Sequence, residues 1–256
     1  IYTPGLRQGI PTGDGQDLSA RFNLFDNKVE FNATYYDNYQ PNARLSPFPN
    51  VQILDEISAI FPATFNRNGR VFQKVSTAGV EVEVVANLTR HWRLILNGAT
   101  NKVETTDRAP LLKGYQKAAK DLNRPTPLLD AFLPTFPEGV PNAGYTKTRA
   151  NIFTRYEIST GQWKGVYFGG GVNWRQPTFR GNAAVIQGGP IVALWSPSFY
   201  TATLLGGYRM KLMERWTSFA LNVDNLFDKD YYQATSVNAG SWGTPRSYRF
   251  KMIVDF

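Results

Sequence analysis

The sequence predicts an all-β fold, an antiparallel up-and-down transmembrane β-barrel wall of about nine strands. Three observations predict it. Apolar residues recur at every second position over many short stretches, the period of a strand with one apolar and one polar face. Connections alternate strictly between short turns, near residues 26, 90, 160 and 213, and long loops. All tight turns therefore fall at one end of the sheet and all long loops at the other, as in outer-membrane barrels. The final strand also runs to a terminal aromatic residue, where a soluble domain usually leaves loosely held polar residues.

The strands follow in pairs. Residues 1–17, rich in Gly, Pro and Asp, read as loop. Over 18–25, Ala20, Phe22 and Leu24 oppose Ser19, Arg21 and Asn23; Asp26, Asn27 and Lys28 turn the chain. Residues 29–39 return with Val29, Phe31, Ala33 and Tyr35 opposite Glu30, Asn32, Thr34 and Tyr36, which makes a hairpin. A long excursion over 40–74 holds a helical turn at 53–61. Val80, Val82, Val84, Ala86 and Leu88 then alternate with Glu81, Glu83 and Asn87, and Trp92, Leu94 and Leu96 return opposite Arg93 and Asn97.

A second excursion, 105–144, has helical spacing over 111–123, with Asp107 as the expected N-terminal cap. That segment is too short to bury a core alone, so it reads as a surface lid. The third pair is 145–158 and 163–175, with Gly169, Gly170 and Gly171 in mid-strand as a sign of a bend or close packing. A third excursion, 176–197, precedes strands at 198–210 and 216–224; a last loop over 227–244 leads into the terminal strand. Tyr35, Trp92, Tyr156, Trp174, Tyr200 and Trp216 lie near strand ends, where membrane-interface girdles place aromatics.

Composition narrows the classes. No apolar run approaches the roughly 18–20 residues a membrane helix needs, and the mean hydropathy of −0.34 does not argue against a barrel, because alternation hides the apolar face from averaging. The absence of cysteine suits an oxidising compartment. With His91 the single histidine, a side-chain zinc or iron site is not expected, nor any cofactor. Net charge is +8, but Lys and Arg are scattered, so no nucleic-acid partner is expected. The opening residues show neither n-region nor h-region of a signal peptide, so the chain reads as a processed or truncated piece.

No catalytic constellation can be assembled. His91 sits in a short turn, and Glu81 and Glu83 lie two apart on one strand face, better suited to lining a polar channel than to the opposed carboxylates of a glycosidase. No enzyme activity is expected.

The last forty residues carry the most specific signal. Asn225 to Tyr232 reads NLFDKDYY; Gly243, Thr244, Pro245 and Arg246 follow; the final strand places Tyr248, Phe250, Met252, Val254 and Phe256 on one face. This order, spacing and terminal Phe resemble the C-terminus of TonB-dependent outer-membrane receptors. The resemblance covers nearly the whole chain by strand rhythm, but its specific motifs lie only in 218–256. It implies residues 1–256 as the C-terminal part of a 22-stranded type of barrel, with the plug domain, TonB box and N-terminal strands absent. Open sheet edges are costly in lipid, which independently calls for closure by further strands.

The resemblance implies TonB-dependent uptake of a scarce nutrient, such as a ferric siderophore, across the bacterial outer membrane. The implied partners are outer-membrane lipid, the barrel assembly machinery, the TonB complex through the missing N-terminal part, and a small-molecule chelate. Tyr248, Phe250, Met252, Val254 and Phe256 would form the assembly signal; Asn225, Leu226, Phe227, Pro245 and Arg246 would serve folding. By position, Arg175, Arg180, Trp195 and Trp242 are candidates to offer charge or stacking to an anionic or aromatic ligand; plain loop packing is the competing reading. The rival functions are a passive porin-type barrel and a soluble β-sheet module that binds carbohydrate or nucleic acid.

Overall fold

The computed structural model describes residues 12–44, 50–63, 72–186 and 188–255. Nine strands form one antiparallel sheet in the order β1-β2-β3-β4-β5-β6-β9-β10-β13. They are β1 Asp14–Leu24, β2 Val29–Arg44, β3 Phe72–Thr89, β4 Trp92–Thr106, β5 Thr148–Glu157, β6 Val166–Arg175, β9 Phe199–Leu212, β10 Arg215–Asp224 and β13 Ser247–Val254. Two small hairpins rise from the loops: β7 Thr178–Ala184 with β8 Ile191–Ser196, and β11 Tyr232–Ala234 with β12 Gly240–Trp242. With the hairpins set aside, every sheet neighbour is a chain neighbour, which is an up-and-down meander.

Side-chain parity sorts the two faces. One row runs in register through Phe31, Val84, Leu96, Ile152, Val172 and Ala202; a row on the other face runs through Asn32, Glu83, Asn97, Asn151 and Asn173. The apolar face lies open: Leu18 is 74% exposed and Phe250 69%. Aromatics bound it at both ends. Near the short turns Tyr156 packs between Trp92 (6.4 Å) and Phe168 (5.6 Å); near the loops stand Tyr35, Trp174 and Tyr200. Tyr200 and Tyr208 are eight positions apart on β9, about 26 Å along the strand at ~3.3 Å per residue, which suits a tilted span of a hydrocarbon layer. Trp216 departs from the expected girdle. It pairs with Lys211 on the polar face, with Arg209 and Lys211 cations 5.1 and 5.5 Å from its ring.

The strands outrun the alternation. Asp14 and Asp17, read as loop, pair with Tyr39 and Tyr36; β2 and β3 stay paired up to Arg44 and Phe72, and β3 and β4 up to Lys74 and Thr106. Beyond the apolar band both faces are wet, so the hydropathy pattern fades while the backbone ladder continues. The short hairpins β7–β8 and β11–β12 lie in segments read as irregular loop. Their pairing is local and their residues carry too little period-2 contrast to be seen.

Gly169, Gly170 and Gly171 mark close backbone packing. A Cβ on Gly170 would stand 2.6 Å from Thr203 O, and one on Gly171 2.5 Å from Ile152 O.

The long loops build their own core. Helix α1 (Val51–Ile60) begins at Asn50, whose Oδ1 accepts the Ile53 N–H at 3.0 Å. Helix α2 (Pro110–Asp121) is not capped by Asp107. The cap position is Ala109 in the left-handed region (φ 53°), and Pro110 with its fixed φ opens the helix; Asp107 instead pairs with Lys74 at 3.3 Å. A third short helix, α3 (Pro127–Phe132), was not expected. Ile53 and Ile57 of α1 bury against Leu112, Tyr115, Leu129, Leu133 and Phe136, so the loop after β2 and the loop after β4 fold into one cap. Glu56 joins them further, its carboxylate accepting the Leu128 and Leu129 N–H groups at 2.9 and 2.8 Å.

Candidate functional site

The polar face of the sheet forms a wall whose upper part is chemically dense. Thr34, Glu81, Ala99, Arg149 and Arg175 lie in one row across β2 to β6, above the asparagine row. Asn151 donates to Asn97 Oδ1 at 2.7 Å, and Arg149 reaches Glu81 at 3.9 Å. A cleft of about 380 Å³ runs over Glu81, Glu83, Asn97, Arg149, Asn151 and Arg175. Arg175 stands beside Arg149 in register and has no ion pair among the described residues, so the cleft sets the Glu81 and Glu83 carboxylates against two guanidiniums, of which only Arg149 is ion-paired. The Arg175 guanidinium, without an ion pair, is the group of this row with the geometry to give an anion two parallel donors.

Above the wall, the loop after β4, the β7–β8 hairpin and the β11–β12 hairpin converge. Arg180 of β7 reaches across with Nη2 to the Val237 carbonyl, while its buried Nε has no partner among the described residues. Trp195 of β8 packs on Phe179, ring centroids 5.1 Å apart. Trp242 lies elsewhere in this upper layer, edge-on to Tyr232 at 5.4 Å and 73% exposed. The structure thus puts Arg180 and Trp195 on one hairpin, Arg175 on the wall below and Trp242 on the neighbouring hairpin.

Sequence reasoning missed Arg108. It is 3% exposed, donating Nε–H to Gln73 Oε1 (3.0 Å), Nη1–H to Pro137 O (3.3 Å) and Nη2–H to Asn142 Oδ1 (3.5 Å), with its guanidinium 4.9 Å from the Phe136 ring. Burial lowers its pKa to about 10, against the raising effect of the Glu138 charge. Its hydrogen-bond partners lie 29 or more positions away, so no local pattern announces it. Burial pushes the Glu138 carboxyl up, but its bonds from Lys113 Nζ (2.5 Å) and the Arg108 N–H (3.1 Å) outweigh this and hold it below the ordinary value.

The C-terminal motif closes the last loop. Asn225, 5% exposed, donates to Lys229 O (3.0 Å) and Thr244 O (3.1 Å) and accepts the Lys229 N–H (3.0 Å). Asp228 accepts the Arg246 N–H at 2.8 Å. These bonds bring both ends of the loop together before β13. On that strand Tyr248, Phe250 and Met252 are 66%, 69% and 57% exposed on the apolar face, with Val254 half-buried; Phe256 lies outside the described residues.

Known proteins share this construction. The family model described as TonB dependent receptor-like, beta-barrel, matches residues 11–226. The ferric-pyoverdine 358 receptor of Pseudomonas putida is 30% identical over 100 residues, which cover 38% of this chain and 11% of that protein. The solved structure of P. aeruginosa FpvA with a heterologous pyoverdine and iron superposes over 94% of this chain and 27% of its own, TM-score 0.64 at 15% identity. That of BauA, the ferric preacinetobactin receptor of Acinetobacter baumannii, superposes over 95% and 29%, TM-score 0.63 at 15% identity. The chain therefore spans under a third of the length of these proteins. It belongs to the TonB-dependent receptor β-barrel family, and its sheet is outer-membrane barrel wall.

Proposed function

We propose that this member of the TonB-dependent receptor family supplies the C-terminal strands and outer loops of a receptor that takes up a ferric siderophore or similar anionic chelate. The observation that carries this reading is the placement of Arg149 and Arg175 side by side at the top of the polar wall, with Arg175 sharing a recess with the loop residues Gly144, Gln233 and Thr235. A chelate captured above would meet cationic donors at the lumen entrance. The relatives described as ferric-pyoverdine and ferric preacinetobactin receptors support the same substrate class.

The sheet needs further strands to do this. β1 pairs only with β2, and β13 only with β10, among the described residues. In lipid each unpaired backbone group costs several kcal/mol, so both edges are closed by other strands of the full receptor, around a plug domain that receives energy from TonB. The exposed face of β13 serves as the signal to the barrel assembly machinery. The protein works as a transporter and not as a catalyst.

The test is uptake of radioactive iron supplied as ferric pyoverdine by cells with and without the full-length gene, under iron limitation, in tonB-positive and tonB-negative backgrounds. Gene- and TonB-dependent uptake is the expected result. Uptake unchanged by loss of either, for ferric pyoverdine and for ferric citrate or catecholate chelates alike, overturns the reading.

A further inference from the structure

We propose that the recess between the three converged outer loops binds a compact organic carboxylate carrying a ring, held by Arg108 and Arg180. The recess measures about 230 Å³ and is walled by Arg108 and Phe136 from the loop after β4, by Phe179, Arg180 and Asn182 of β7, and by the β11–β12 turn at Asn238. This deepens the uptake reading by naming a ligand fragment, and rests on it for how such a fragment arrives.

The chemistry of the walls is one-sided. Two guanidiniums and two amides line the recess, and no Asp or Glu does. Arg108 spends three of its five N–H groups on Gln73, Pro137 and Asn142. Arg180 donates to Val237 O, and its Nε–H is unpartnered among the described residues. Glu138, whose charge Arg108 feels, is directed instead at Lys113 Nζ and the Arg108 backbone N–H. A buried cation with donors to spare and no dedicated counter-ion favours an incoming anion. The aromatic walls, Phe136 and Phe179, favour a flat apolar body on that anion. The volume lies below the ~300–1,000 Å³ of drug-sized sites, which excludes a whole chelate and fits one ring with its carboxylate.

The recess is also built across loops. Gly181 sits at φ 132°, and a Cβ there would stand 2.8 Å from Val237 Cγ2, so glycine lets the β11–β12 turn close over β7. An occupant touching all three loops ties them together over the wall.

The experiment is calorimetric titration of the full-length receptor in detergent with benzoate, benzamide and inorganic phosphate. Saturable benzoate binding is expected, at least tenfold tighter than benzamide or phosphate. Arg180→Gln should weaken it at least tenfold and Arg180→Lys should restore part of the loss; Arg180 is chosen because Arg108→Gln removes a buried network and risks misfolding the cap. No saturable benzoate heat, equal binding of benzamide or phosphate, or equal affinity in Arg180→Gln overturns the site. Iron uptake is read separately, so failed uptake with intact benzoate binding counts against the transport reading alone.

Discussion

The ring of Tyr167 occupies the space that a side chain at Gly207 would need. The two residues face each other in register across β6 and β9; a Cβ on Gly207 would overlap the Tyr167 ring and the Phe219 carbonyl. Arg155 holds the other side, its guanidinium 4.3 Å from the ring centroid. Tyr36 and Gly79 repeat the pairing across β2 and β3, with the Tyr36 hydroxyl 2.6 Å from a Cβ built on Gly79. Both pairs stand on the polar face, where an aromatic laid over a glycine protects the ladder beneath.

Gly207→Val in the full-length receptor should therefore destabilise the barrel by about 1–3 kcal/mol through overpacking. Gly206→Ala is the control, because its Cβ would meet nothing nearer than Tyr167 O at 3.8 Å. Thermal unfolding of the two variants in detergent decides the matter; equal melting temperatures would show that Tyr167 moves aside without cost.

Glu56→Ala should loosen the cap and leave the sheet alone. It removes the acceptor for the Leu128 and Leu129 N–H groups, a change of about 0.5–2 kcal/mol for lost capping. Hydrogen exchange of residues 127–136 should quicken several-fold while exchange in β3 and β4 stays unchanged. Exchange that quickens equally in the strands argues against an independent cap.

The Lys113–Glu138–Arg108 contact predicts an acid-sensitive loop. The folded carboxyl lies below its ordinary value of 4.5, so its stabilisation is complete above that pH and is lost as pH falls through the lowered folded value. Glu138 is nearly half exposed, and solvent screening keeps the effect small. Susceptibility of residues 107–147 to an acid-active protease should rise below pH 4.5 in the wild type, over and above a Glu138→Gln variant whose own profile is flat. Parallel profiles would remove Glu138 from this role.

Asn225→Ala should cost about 1–3 kcal/mol, because it leaves groups of Lys229 and Thr244 without their partner in a buried corner. Asn225→Asp keeps the acceptor for the Lys229 N–H and loses the donors, so it should fall between. Heat-modifiability of the full-length barrel on gels reads the series; wild-type behaviour of both variants contradicts the staple.

Deleting Phe256 from the full-length protein should lower its outer-membrane amount several-fold without lowering synthesis. Unchanged membrane levels would mean that Tyr248, Phe250 and Met252, exposed on the same face, suffice for assembly, or that assembly reads another segment.

What the sequence determined by itself was the wall. Period-2 alternation such as that of Phe31 against Asn32 is a local property of the chain, and it set which face of each strand meets lipid before any partner was known. The alternation of short and long connections set the meander, and the motif from Asn225 to Arg246 carried the family. Tertiary structure decided the rest, because the deciding contacts join residues far apart in sequence. Asp107 looked like a cap until Pro110 and Lys74 took over. Trp216 looked like a girdle residue until register placed it among cations on the polar face. Arg108 is an unremarked residue in a loop, and becomes a buried cation only when Gln73, Phe136 and Asn142 close around it. Strand faces follow from the geometry of one chain segment, whereas a recess between loops exists only where three segments meet, and no short-range pattern records that meeting.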